Sequence, residues 1–159
     1  MNRFLFLLML SAATSGCYVF FWSDSMNELK RAEELSRQGN YTEAIQAYRS
    51  HMQKRLALPN RPEWENPYFY QVLIGDIYLG QGDPTDALDS YLEADKQGVD
   101  SFLIADRIRS VAQWYEQKGE LQSAIDLLTT HRSRDSLLFD SMLDRYARAL
   151  VKREEIVTH

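Results

Sequence analysis

The sequence predicts an all-α protein built from stacked helix pairs, and three observations carry that expectation. Glycine and proline are scarce, at seven and four, while 45% of residues are apolar and 26% charged. That is the composition of a helical globular domain rather than a disordered chain. Apolar residues recur at three- and four-residue steps along most of the chain, the period of an amphipathic helix. Finally, a pattern of small residue, glycine and alanine returns three times in one register.

The charge balance narrows the function classes. With 18 Lys and Arg against 23 Asp and Glu, the net charge of -5 makes a poor partner for a phosphate backbone, so no nucleic acid is expected to bind. The single cysteine, Cys17, rules out an internal disulfide framework and a cysteine-cluster metal site. His51, His131 and His159 lie too far apart in sequence to form a local ligand pair. No nucleophile–base arrangement stands out. The expectation is therefore binding rather than catalysis, with no metal and no cofactor.

At the N-terminus, Met1-Asn2-Arg3 supplies a short positive segment, Phe4 to Leu10 an apolar core, and Ser11 to Gly16 a run of small residues. This is the order of an export signal. Thr14-Ser15-Gly16-Cys17 resembles the lipobox of bacterial lipoprotein signal peptides, in which small residues precede an invariant cysteine. The resemblance implies removal of residues 1–16, lipidation of Cys17 with acyl chains such as palmitate, and a short aromatic tether over 17–24. It also implies a cell-envelope location, with Tyr18 rather than Asp after the cysteine resembling the class sorted to the outer membrane and facing the periplasm. The alternative reads Phe4 to Trp22 as one uncleaved helix, about 28 Å long at ~1.5 Å per residue, anchoring a single-pass inner-membrane subunit.

The repeat occupies Arg31 to Tyr48, Ile74 to Tyr91 and Val111 to Leu128. In each copy a small residue (Ala32, Gly75, Ala112) precedes a glycine (Gly39, Gly82, Gly119) by seven positions. An alanine (Ala44, Ala87, Ala124) follows five after it, and a large residue (Tyr48, Tyr91, Leu128) four later. The spacing predicts two helices joined by a tight turn, with the glycine in the left-handed conformation that ends the first helix. The small residue and the alanine are then expected at the closest approach of the pair, with Leu35, Tyr78 and Tyr115 filling the adjoining space.

These residues resemble the tetratricopeptide repeat, a helix-turn-helix of about 34 residues. The resemblance implies a solenoid of three repeats, over 25–58, 68–101 and 105–138, with a proline-rich loop at 59–67. Glu28 and Arg31 depart from the pattern, at positions the family usually makes apolar. After the repeats, residues 139–159 read as a capping helix and tail, with Leu143, Tyr146, Ala147 and Leu150 on one helical face.

Carrying the family's groove positions across implies a concave lining of Leu29, Glu33 and Arg37, then Val72, Asp76 and Leu79, then Arg109, Gln113 and Glu116. The implied partner is a protein or peptide segment with both charges and apolar anchors. The lysine and asparagine pattern that would clamp an acidic chaperone tail is missing. Trp64 in the loop reads either as an exposed anchor or as a cover for the junction between repeats, and Trp114 as structural. Arg145, Arg148 and Lys152 form a basic stripe, read as a polar face with local ion pairs or as a contact for lipid headgroups. The sum is a membrane-anchored adaptor, accessory to envelope or pilus assembly. A competing class is an envelope enzyme using Glu33, Asp76 and Glu116.

Overall fold

A computed structural model describes residues 26–157, and side chains as far as Arg153. The lipidation, cleavage and membrane-span readings of the leader all fall on residues outside that range. Among the described residues the fold is all-α, without a strand, and no helix is long and apolar enough to cross a membrane. The chain divides into two compact units, with the boundary after Pro62.

The first unit contains α1 (26–37) and α2 (Tyr41–Leu56). Gly39 takes φ +80°, and the Asn40 amide donates to the Leu35 carbonyl at 2.9 Å, closing α1 with the hydrogen bond that a left-handed glycine permits. Ala32, Ala44, Ile45 and Tyr48 are buried. The departure at Glu28 has a structural reason: its carboxylate accepts from Lys54 Nζ at 2.6 Å, so the two helices meet through an ion pair at that point.

The second unit contains α3 (Phe69–Gln81), α4 (Pro84–Lys96), α5 (Ser101–Gln117), α6 (Leu121–Thr130), a 3₁₀ turn (Arg132–Arg134) and α7 (Ser136–Val157). Each α-helix packs on the next along the chain, and α3 also reaches α5. The bond that closes α1 recurs three times, from Asp83 to Tyr78, Val99 to Ala94 and Glu120 to Tyr115, beside Gly82, Gly98 and Gly119. Gly98 is the addition to the expected set: it ends α4, and Asp100 immediately caps α5 by accepting from the Leu103 amide at 2.9 Å. For that reason α5 begins at Ser101 and not at 105. In the same way Asp135 accepts from the Leu138 amide at 3.1 Å, and α7 begins at Ser136 instead of 139.

The core of this unit is a continuous cluster in which Tyr91, Ile104, Ile108, Val111, Leu128, Phe139 and Tyr146 are fully buried, with Ala87, Ala112 and Ala124 sealed between them. Tyr78 and Tyr115 pack at its edge. On α7 the buried face is Phe139, Met142 and Tyr146, with Leu143 beside it. Ala147, expected on that face, is exposed. Gly75 is buried for a reason beyond helix approach: a Cβ there would overlap the Tyr91 ring, falling 2.7 Å from its Cδ1.

Candidate functional site

On α3 the implied groove positions are used up internally. Val72 is fully buried, so its assignment to an accessible lining is corrected: it is a core residue. Leu79 packs against the same core. Asp76 is held on both oxygens by Arg107 of α5, with Nε to Oδ1 at 2.8 Å and Nη2 to Oδ2 at 3.1 Å, while the Tyr91 hydroxyl donates to Oδ1 at 2.8 Å. Burial first, and the Asp76 charge second, push the Tyr91 phenol far up, so it stays a proton donor. Burial works against the Arg107 charge, but the bonds to Asp76 outweigh it and its pKa is raised.

On α5 two positions remain accessible. Arg109 and Gln113 line a cleft of about 390 Å³ together with Leu138, Ser141, Met142, Arg145 and Arg148 of α7. Its lining holds three guanidinium groups and no carboxylate. The acids that balance them stand outside that lining: Asp106 pairs with Arg109, Glu116 with Arg145 at 2.8 Å, and Asp144 with Arg148 at 2.5 Å. The Arg109 Nε is buried and has no hydrogen-bond partner among the described residues, so Asp106 satisfies that side chain only in part. Glu116, the third implied position on this helix, is a strut: it also accepts from the Tyr146 hydroxyl at 2.8 Å and fixes α7 against α5. That phenol is pushed up to about 12, by burial first and the bond to Glu116 second.

The first unit fares differently. Leu29 is half-buried, Glu33 is exposed, and Arg37 pairs with Glu34 at 2.7 Å on the surface. The small cleft between α1 and α2 is lined by others, Arg31, Glu43 and Gln46 among them. Of the three carboxylates of the enzyme reading, Asp76 and Glu116 each serve a different cation–tyrosine pair. Among the described residues no group of three or more His, Cys, Asp or Glu could hold a metal.

The basic stripe on α7 is therefore partly absorbed into the cleft, through Arg145 and Arg148, whereas Lys152 is exposed. The contribution of α7 to the cleft was not foreseen from sequence. Its signal is the pairing of Leu138 and Met142 with Ser141, Arg145 and Arg148 at helical spacing, an apolar and basic face beside the buried one. Trp114 is half-buried, edge-on to Tyr115 at 5.5 Å with Lys118 Nζ 5.3 Å from its ring centre. Trp64 is exposed.

Compared with models of known protein families and with curated proteins, the chain matches none.

Proposed function

We propose that the chain is a tetratricopeptide-repeat adaptor of the bacterial cell envelope, anchored by lipidated Cys17, and that it binds a segment of a partner protein. The observation that carries the repeat reading is the recurrence of one local geometry. Ala32, Gly75 and Ala112 are all buried, Gly39, Gly82 and Gly119 all have positive φ, and Ala44, Ala87 and Ala124 all have no exposed surface. Support for binding comes from the α5–α7 cleft, which combines donors on Arg109, Gln113, Ser141, Arg145 and Arg148 with the apolar Leu138 and Met142. Such a lining suits an extended or helical segment that carries carboxylates beside an apolar side chain. The lipid anchor is supported by Thr14-Ser15-Gly16-Cys17 and the order of the leader.

Two measurements test this. A photo-crosslinking residue at Ser141 in the native membrane is expected to capture a discrete partner protein, whereas the same residue at Asp89 captures none. Equal capture at both positions, or at neither, removes the cleft as the binding site. The intact mass of the membrane-extracted chain, beside a Cys17→Ser variant, is expected to show a chain starting at Cys17 with added acyl mass that the variant lacks. A full-length unmodified chain in both replaces the lipid anchor with a membrane span.

A further inference from the structure

At the start of α3 a second concavity of about 450 Å³ lies between the loop that carries Trp64 and the α4–α5 turn, mostly apolar in its lining. The aromatic Trp64, Phe69 and Tyr70 and the aliphatic Val99 and Leu103 line it. Its charged lining residues are Glu65 and Asp100, and neither Lys nor Arg is among them. This pocket is the electrostatic opposite of the α5–α7 cleft.

The loop side of the pocket is tied to the helices around it. Asn66 Nδ2 donates to the Gln97 carbonyl at 2.9 Å, tying the loop to the end of α4, and Asn66 Oδ1 accepts from the Tyr68 amide at 3.0 Å, fixing the entry into α3. Pro67 is fully buried, and Gly98 turns the chain beneath. Trp64 takes no part in these bonds, and it is 85% exposed. Phe69, also in the lining, is 44% exposed, and Tyr70 beside it is half-buried. Exposed aromatics gathered at a pocket mark a contact surface rather than chance exposure.

We infer that this pocket is a second protein-docking site, one that takes a partner segment with an Arg or Lys side by side with an apolar residue. The aromatic faces attract a cation through their quadrupoles, the Asp100 carboxylate adds negative charge through its second oxygen, and Val99 and Leu103 receive the apolar neighbour. Asp100 spends one oxygen on the Leu103 amide and so also offsets the positive end of α5, which would otherwise repel a cation.

The test uses the full chain and a fluorescein-labelled peptide of three Leu-Arg-Gly-Pro blocks, read by anisotropy and by the NMR shift of the Trp64 indole N–H. Saturable binding that moves this indole is expected, weakened about tenfold or more by Trp64→Ala and several-fold by Asp100→Asn, which keeps the helix cap. The peptide with Glu in place of Arg, the peptide with Ser in place of Leu, and phosphatidylcholine vesicles are expected to leave the indole unmoved. Equal binding to the Trp64→Ala variant would reduce the interaction to diffuse charge attraction and overturn the assignment. So would an indole shift with the Glu peptide or with vesicles. The double variant Arg145→Ala, Arg148→Ala is expected to bind the Arg peptide unchanged; loss there instead would move the site to the cleft and overturn it as well.

Discussion

Helices α3 and α5 present the same register of side chains, and its first two positions meet opposite fates. On α3, Asp76 is closed over by Arg107 and Tyr91. On α5, Arg109 and Gln113 face an open cleft. What differs is the neighbouring helix. Against Asp76, α5 brings a cation that forms a two-point bond with the carboxylate. Against Arg109 and Gln113, α7 brings Arg145 and Arg148, and like charges gathered in one lining oppose close approach. Whether a position in a helix pair is closed over as a lock or left at an open cleft thus depends on the charge that the next helix presents as well as on the pair's own residues.

The largest effect should come from breaking the lock at its steric centre. Tyr91 reaches Asp76 with its ring lying over Gly75, so Gly75→Ala places a methyl group into that ring. Overpacking of a sealed core costs roughly 1–3 kcal/mol, and a urea midpoint lowered accordingly is expected. Gly80→Ala is the matched control on the same helix, since a Cβ there meets nothing within 4 Å. It is expected to stabilise by roughly 0.5–1 kcal/mol. Equal effects at the two glycines would show that the Tyr91 ring does not fill the space as described.

Next in size is the charge half of the lock. Arg107→Met leaves Asp76 with only the Tyr91 hydroxyl and should cost roughly 1–2 kcal/mol, the range for hydrogen bonds to charged groups lowered because both side chains are partly exposed. Tyr91→Phe should cost about 1 kcal/mol. Because both donors share Asp76 Oδ1, the double variant is expected to cost less than the two separately. Strict additivity would mean that the two bonds do not act through one carboxylate.

The turns and the buried small residues were legible in the sequence because their cause is local. A glycine seven residues after a small residue and five before an alanine fixes where the chain reverses, and Gly39, Gly82 and Gly119 take positive φ accordingly. Gly98 obeys the same chemistry but was hidden, since it joins successive pairs and so stands outside the repeated pattern. The candidate site was less legible. Val72 was assigned to a surface by register, yet whether that surface is open depends on side chains brought by α4 and α5. Likewise most of the cleft lining comes from α7, at and beyond the end of the third repeat.

If opposite charges close neighbouring elements, a second lock should behave like the first. Arg134 of the 3₁₀ turn donates to Asp95 of α4 at 2.8 Å. That bond, more than the Arg134 charge, holds the Asp95 carboxyl below its ordinary range, against the opposing effect of burial. A depressed carboxyl contributes stability that is fully present above its unfolded pKa of about 4 and is lost as the pH falls through the lower folded value. His131, next to the same pair, is depressed by burial first and by Arg134 second, with Asp95 opposing. The folded state therefore favours its neutral ring, and stability begins to fall as the pH drops below about 6.5. Urea midpoints followed from pH 8 to 3 should show two successive losses. His131→Gln is expected to remove the upper one and Arg134→Met to weaken both. An upper loss that survives His131→Gln would assign it to another group.

The smallest effect sharpens the contrast most, because it tries to turn the open cleft into a lock. Arg145 and Arg148 are largely exposed, and their pairs with Glu116 and Asp144 are of the kind worth at most about 1 kcal/mol. Replacing both with Ala should therefore move the urea midpoint far less than Arg107→Met, while abolishing capture at Ser141. Gln113→Glu does the reverse: it places a carboxylate among three guanidinium groups, four residues after Arg109 on the same helix. A gain of a few tenths of a kcal/mol is expected, together with weaker capture, since the new carboxylate occupies the donors a partner would use. If Gln113→Glu destabilises instead, mutual repulsion of the arginines is not what holds the cleft open, and shape alone must explain why the space beside Gln113 stays open next to the Glu116–Tyr146 contact.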